Sequence, residues 1–230
     1  MTDSFTGPMV GPADVGETRR DDVGQRETGS ELLELGSATL GETGASPMHP
    51  RVRAVWPGAA LAAPAYPVRC SPGDNLAIHG AVARAPEGSV LVVDVGGLAE
   101  RGYWGEVLTT GAEARGLAGL VIDGGVRDSA ALEAHRFPVF ATIVALRGAT
   151  KELPGTNGAP VEVGGVMVER GDWVVADADG VAVVPSRRLE EVLVAGRARA
   201  TKEDGFFQAL KAGRTTVELL GLDLGPVPES

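Results

Sequence analysis

Cysteine is almost missing from this chain. Cys70 stands alone, so no intrachain disulfide framework can hold the fold, and a reducing cytosol is the compartment that fits. Aromatic residues are only 4% of the 230 residues, which leaves Val, Ala and Leu to fill the core. Lys and Arg number 21 against 31 Asp and Glu, for a formal charge of −10. No basic run interrupts that balance, and nucleic acid, whose phosphates need clustered cations, is a poor fit. No stretch is long and apolar enough to span a bilayer, and the first thirty residues lack the apolar centre of a secretory leader. An acidic protein of this kind can bind an anionic substrate only by concentrating its few cations locally or by recruiting a metal ion.

Glycine, by contrast, is abundant: 33 residues, with 15 prolines, so much of the chain must turn or approach something closely. The length suits one α/β core. Residues 1–30 are rich in Gly, Asp, Arg and Thr with no apolar period and read as a disordered or loosely attached tail; residues 31–230 read as one domain. A short helix is expected within 31–44, then a strand, turn and strand around Pro57-Gly58. A helix follows over 74–85, with Asp74 as N-cap. Strand 89–95, helix 104–115 with Gly116 just past its end, strand 117–122, a loop over 123–128, helix 129–136 and strand 138–142 continue the alternation. That order predicts a parallel or mixed sheet covered by helices. The last third changes to short strands at 161–168, 173–177 and 181–184, split by Gly164-Gly165, Gly171-Asp172 and Asp179-Gly180. A long helix over 189–210 ends the pattern, with a break expected near Gly205.

Two segments carry candidate chemistry. In LVIDGGVRDSAA (120–131) a hydrophobic strand runs into two glycines, then Arg127 and Asp128 open a helix. Ligands collect at the carboxyl ends of such strands. An Arg fork suits a carboxylate, and an Asp beside it offers a hard oxygen to Mg²⁺ or Mn²⁺. Read blandly, Asp128 is only a helix cap. In GYWGEVL (102–108) Gly105, Glu106 and Val107 fall at the first turn of a helix, where free amides make an anion site. Glu106 there would repel a carboxylate, unless it serves a metal or its water; its bland reading is a first-turn acid favoured by the helix dipole.

Glu106, twenty intervening residues, then Arg127-Asp128 resembles the acid-X20-Arg-Asp signature of the RraA-like class II pyruvate aldolases, the 4-hydroxy-4-methyl-2-oxoglutarate and 4-carboxy-4-hydroxy-2-oxoadipate aldolases. The likeness runs over roughly residues 50–215, through PGDNLAIHGAV (72–82), GSVLVVDVGG (88–97), WGEVLTTGAEARGLAGLVIDGGVRD (104–128), FPVFA (137–141) and GGVMVERGDWVVADADGVAVVP (164–185). It implies an α/β fold of the swivelling β/β/α type, a mixed sheet with covering helices, assembled as a homotrimer or hexamer with sites between subunits. It implies Asp128 as the protein ligand of a divalent metal, Mg²⁺ or Mn²⁺, and Arg127 on the pyruvyl group. The backbone amides around Gly105, Glu106, Val107 and Leu108 would take the substrate carboxylate, and Glu106 would orient a water on the metal. Glu203, from a neighbouring subunit's C-terminal helix, would complete the site. SATLGETG stands where the family usually carries an Asp-Ala-Leu helix, a departure that bears on specificity.

The chemistry so implied is retro-aldol cleavage of a 4-hydroxy-2-oxo acid to pyruvate and a second 2-oxo acid, with oxaloacetate decarboxylation as a side activity. No lysine lies in the matched site segments, which argues against a Schiff base and for a metal as the electron sink. Two alternatives stand beside it: a non-enzymatic regulator that binds an RNA-degrading enzyme, whose kind tends to lack the Asp at position 128, and a dedicated oxaloacetate decarboxylase or biosynthetic lyase on the same fold. His79 reads as a satisfied core or interface histidine, His49 and His135 as isolated, and Cys70 as inert. Asp177 and Asp179 read as turn residues. The glycines at 96–97 lack a dinucleotide fingerprint.

Overall fold

The computed structural model describes residues 14–227. Its elements are α1 (Asp14–Glu42), β1 (Ser46–Pro47), β2 (Arg53–Ala54), β3 (Leu61–Arg69), α2 (Leu76–Arg84), β4 (Val90–Asp94), β5 (Gly102–Trp104), α3 (Glu106–Ala114), β6 (Gly119–Val126), α4 (Ser129–His135), β7 (Val139–Val144), β8 (Thr156–Asn157), β9 (Val161–Val163), β10 (Val166–Val168), β11 (Trp173–Ala176), β12 (Val181–Val184), α5 (Leu189–Lys211) and α6 (Thr216–Leu220). The main sheet runs β1-β12-β11-β3-β4-β6-β7-β2, with β5 added to β6 and β8 to β3.

Strands β3, β4, β6 and β7 are parallel neighbours in that order. Each is reached from the one before by a helix, and right-handed crossovers stepping in one direction put α2, α3 and α4 on one face. The opposite face packs on the β9–β10 hairpin, whose Val161, Val163 and Val168 share the core with Val90–Val93 and Leu120–Ile122. The apolar runs of β4 and β6 are buried on both faces, as parallel strands require. Gly164 and Gly165 both have positive φ and close a two-residue hairpin of the kind that only such residues make readily.

Three sequence expectations change. The stretch 123–128 is not a loop throughout, because β6 continues to Val126. Gly124 and Gly125 let it pass under the preceding loop: a Cβ on Gly124 would lie 2.7 Å from Val95, and one on Gly125 would collide with the Arg101 carbonyl oxygen. Trp104 belongs to β5, and the helix starts only at Glu106. Helix α5 runs unbroken through Gly205. A Cβ at Gly205 would meet no neighbour, so the glycine costs α5 only its propensity, about 1 kcal/mol.

The expected tail is also shorter than the composition suggested: helix α1 runs back to Asp14, and residues 1–13 lie outside the described residues. Gly29 sits so close to β3 that a Cβ would lie 3.0 Å from the Ala62 carbonyl oxygen. Leu32 and Leu40 are fully buried in a second core with Trp173, Val175, Val184 and Val192. Non-helical backbone at Gly36 kinks α1, and beside it the Asp177 carboxylate accepts hydrogen bonds from the Ser37 amide (2.7 Å) and hydroxyl (2.6 Å). Asp177 thus anchors α1 besides shaping its own turn. Truncating Leu32 to Ala is expected to cost about 2–4 kcal/mol in urea unfolding. A loss under about 1 kcal/mol would show that α1 adds little to the domain.

Candidate functional site

The carboxyl ends of β3, β4, β6 and β7 and the loops after them enclose a cleft of about 220 Å³. One wall is Gly105, Val107 and Leu108 with Arg127 and Asp128; another is Asn75, His79, Ala149 and Lys151; Tyr103 and Trp104 lie between. Arg127, Asp128 and the start of α3, paired only by sequence spacing before, therefore come together.

Asp128 follows β6 in the left-handed region (φ 59°, ψ 36°) at the N-cap of α4, yet its side chain makes no cap bond there. Asp tolerates this conformation better than most residues, though it still costs of order 1–3 kcal/mol. The turn sends the carboxylate sideways, where Oδ2 accepts the Glu106 amide at 3.1 Å. A Cβ on Gly105 would collide with that same oxygen. The Arg127 amide donates to the Trp104 carbonyl (2.9 Å), and its Nε lies 3.7 Å from Asp128 Oδ2, with both side chains nearly half exposed. Guanidinium and carboxylate are thus neighbours without a mutual hydrogen bond, and each remains open to a ligand. In the first turn of α3 the amides of Val107 and Leu108 have no acceptor four residues back, while that of Glu106 is taken by Asp128.

The Glu106 side chain goes elsewhere. It does not line the cleft; its Oε1 is 3.7 Å from His135 Nε2, whose Nδ1 lies 2.8 Å from Glu113. Glu203 is on α5, 2.8 Å from Arg199, and does not line the cleft of its own chain either.

Three residues given no part in the site by the sequence stand in the cleft wall. Lys151 is one, so a lysine does reach the site from outside the matched segments. Asn75 is buried, its Nδ2 donating to the Tyr103 carbonyl at 2.8 Å. His79, expected to be a satisfied core or interface histidine, has its Nε2 buried with no partner among the described residues. Burial pushes its pKa down, the Lys151 charge adds to that, and Asp74 opposes it. Beside all three in the chain or in space is Asp74, which is 1% exposed. Its carboxylate accepts the Leu76 amide (2.8 Å), the Thr150 hydroxyl (2.7 Å) and the amides of Glu152 (2.6 Å) and Leu153 (3.1 Å). It therefore ties the start of α2 to the loop bearing Lys151. Cys70 is buried, and burial drives its thiol pKa to about 12, consistent with an inert residue.

Among the described residues no three His, Cys, Asp or Glu side chains gather as a metal cage. A metal at Asp128 would have one protein carboxylate, with water and substrate oxygens completing its shell. That donor set fits Mg²⁺ or Mn²⁺, and the room left by Gly105 keeps the carboxylate accessible. No helix among the described residues is long and apolar enough to cross a membrane.

Known proteins agree with this architecture. The RraA-like family model, described as Aldolase/RraA, matches residues 30–183. The chain belongs to that family. A relative from Halalkalibacterium halodurans, named "Putative 4-hydroxy-4-methyl-2-oxoglutarate aldolase", is 35% identical over 147 residues, covering 64% of this chain and 70% of its own. An uncharacterized protein from Pseudomonas syringae superposes with a TM-score of 0.75 at 27% identity, over 83% of this chain and 91% of its own. RraAS2 of Streptomyces coelicolor, titled an unusual member of the RNase ES inhibitor RraA protein family, gives 0.70 at 28% identity, over 80% and 98%.

Asp74 yields a pH-dependent expectation. Its pKa is held at about 2, below the ordinary 3.8, by those four hydrogen bonds against the opposing effect of burial. A lowered folded-state pKa stabilises the fold fully above the unfolded value and loses that contribution as pH falls through the folded value. Asp74→Asn is expected to cost about 2–3 kcal/mol at pH 7. In urea titrations the gap between wild type and variant should hold down to about pH 4 and narrow below it; a gap independent of pH would refute the role of the charge.

Proposed function

We propose that the protein is a divalent-metal-dependent lyase. It would cleave a 4-hydroxy-2-oxo di- or tricarboxylic acid by a retro-aldol reaction to pyruvate and a second 2-oxo acid, and decarboxylate oxaloacetate as a side reaction. The observation that carries this reading is the convergence of Arg127, Asp128 and the amino end of α3 on one small cleft. Arg127 would bind the pyruvyl carboxylate or carbonyl and stabilise the charge that develops there. The amides of Val107 and Leu108 would hold a substrate carboxylate. Lys151 would pair with a carboxylate at the other end of the substrate. Asp128 would hold the metal, which when bound supplies a Lewis acid for the 2-oxo group. Glu106 and Glu203 remain to receive, through water, the proton of the C4 hydroxyl.

Because Glu203 is away from its own cleft, the proposed site needs a second copy of the chain, in a homotrimer or hexamer. Exposed apolar residues support this: Val107 is 80% exposed at the cleft, and Leu146, just past β7, is 87% exposed. Asp128 also favours this reading over a regulator of RNA degradation, a role that needs no metal ligand.

Pyruvate release from 4-carboxy-4-hydroxy-2-oxoadipate and from oxaloacetate should require Mg²⁺ or Mn²⁺, stop with EDTA, and fall by about 10²-fold or more in Asp128→Ala and Arg127→Ala. A folded wild type that turns over neither substrate would overturn the lyase reading. Arg127→Ala and Glu203→Ala, each impaired alone, should regain activity when co-expressed, because mixed assemblies pair an intact Arg127 with an intact Glu203. No recovery in verified mixed assemblies would remove Glu203 from the site.

A further inference from the structure

We infer that His79 is the specificity-determining residue for the departing half of the substrate, donating a hydrogen bond to the C4 oxygen. This rests on the lyase reading and adds to it a division of labour within the cleft. His79, in α2, lies one turn after Asn75, the residue that caps the helix, its amide bonded to the Asn75 carbonyl, and both line the cleft. Around them hydrogen-bonding capacity is spent. The Tyr103 hydroxyl accepts from the Gly73 amide and donates to the Leu98 carbonyl, the Asp74 carboxylate is saturated, and Asn75 Nδ2 is bonded. What remains unpartnered and buried on this wall is Asn75 Oδ1 and His79 Nε2. Buried polar atoms without partners are rare in native structures and call for a functional reason. At a cleft wall the natural partner is a ligand.

The chemistry of that ligand follows from charge. Arg127, the α3 amides and Lys151 already provide for the carboxylates and the 2-oxo group. Burial and the Lys151 charge push the His79 pKa down, against Asp74, which suits the imidazole to an uncharged oxygen. With the 2-oxo oxygen already provided for, the C4 hydroxyl is the uncharged oxygen of a 4-hydroxy-2-oxo acid that remains. In cleavage the hydroxyl proton leaves to the base, C4–O becomes a double bond, and the C3–C4 electron pair passes to the pyruvyl half. An N–H donor at O4 favours loss of that proton by stabilising the negative charge it leaves behind. His79 itself transfers no proton. Asn75 Oδ1, an acceptor, can hold the hydroxyl proton before it departs.

Oxaloacetate has no C4 hydroxyl, so its decarboxylation should not need His79. His79→Leu is expected to lower kcat/KM for 4-carboxy-4-hydroxy-2-oxoadipate by about 10- to 100-fold, the equivalent of one hydrogen bond. Oxaloacetate decarboxylation should stay within about threefold of wild type, a difference too small to reflect a lost hydrogen bond. His79→Gln, which keeps an N–H donor, should recover part of the loss. If His79→Leu does not fold, His79→Phe, which keeps a ring without its nitrogens, carries the same comparison. Equal losses with both substrates, or no loss with either, would overturn the inference while leaving the lyase reading intact. A wild type inactive on both would overturn the two together.

Discussion

Asp128 and the first turn of α3 meet because position 105 is glycine. The strand β6 and the β5–α3 corner approach so closely that any Cβ there would occupy the place of an Asp128 oxygen. That approach in turn requires Asp128 to leave β6 in the left-handed region, which turns its carboxylate away from α4 and toward the Glu106 amide. Three consequences follow. The Arg127 backbone is fixed by the hydrogen bond its amide donates to the Trp104 carbonyl, one amide of α3 is consumed while two stay available, and a single carboxylate is presented to the cleft. The strain at Asp128 is borne by a residue whose side chain the proposed chemistry requires, the usual place for such strain to survive.

The chain is acidic as a whole, yet its cleft gathers Arg127 and Lys151 around one carboxylate. Asp74 makes this arrangement possible without taxing it. It is the most fully bonded carboxylate near the site, and its charge is spent on three backbone amides and a hydroxyl. The result is a rigid strap between two loops that are distant in sequence. The same strap brings Lys151 near His79, whose pKa its charge helps push down. The imidazole and the amine can then serve different parts of one substrate.

Much of this was legible in the residues. The βα alternation, the glycine cap at Gly116 (φ +66°), and the hairpin at Gly164-Gly165 follow from local rules. So does the conjunction of Arg127 and Asp128 at a strand end, and the resemblance joined them to Glu106. What was misread involves long-range packing. Gly124-Gly125 has the form of a turn, but its glycines serve a strand running beneath another loop. Helix α1 carries its buried side on a few leucines between glycines and charges, too weak a period to stand out. Lys151 and His79 converge through Asp74 and the backbone bonds that pair Gly73 and Asn75 with Thr150, and nothing local in 74–79 or 148–153 announces that contact. The Glu106 amide, expected among those that take the substrate carboxylate, is engaged by Asp128 instead; its side chain, drawn to His135, was not visible from spacing.

In the proposed assembly a second copy of the chain would complete the site. Its open side is bordered by Val107, and the exposed Leu146 lies just past the neighbouring β7. Single exposed apolar residues are ordinary on a protein surface, but at a substrate cleft they would let water compete for every charge. Covering them would dry the cleft and strengthen the attraction between Arg127 and a bound carboxylate. The distal half of α5 and α6 carry exposed apolar residues of their own, Phe207 and Leu220, far along the chain from the cleft. A second copy that laid this region over the first would bury both apolar surfaces in one step. It would also deliver Glu203, on the same helix as Phe207, toward the proton that must leave the substrate. In the proposed assembly, the hydrophobic contact and the completion of the site are therefore the same event.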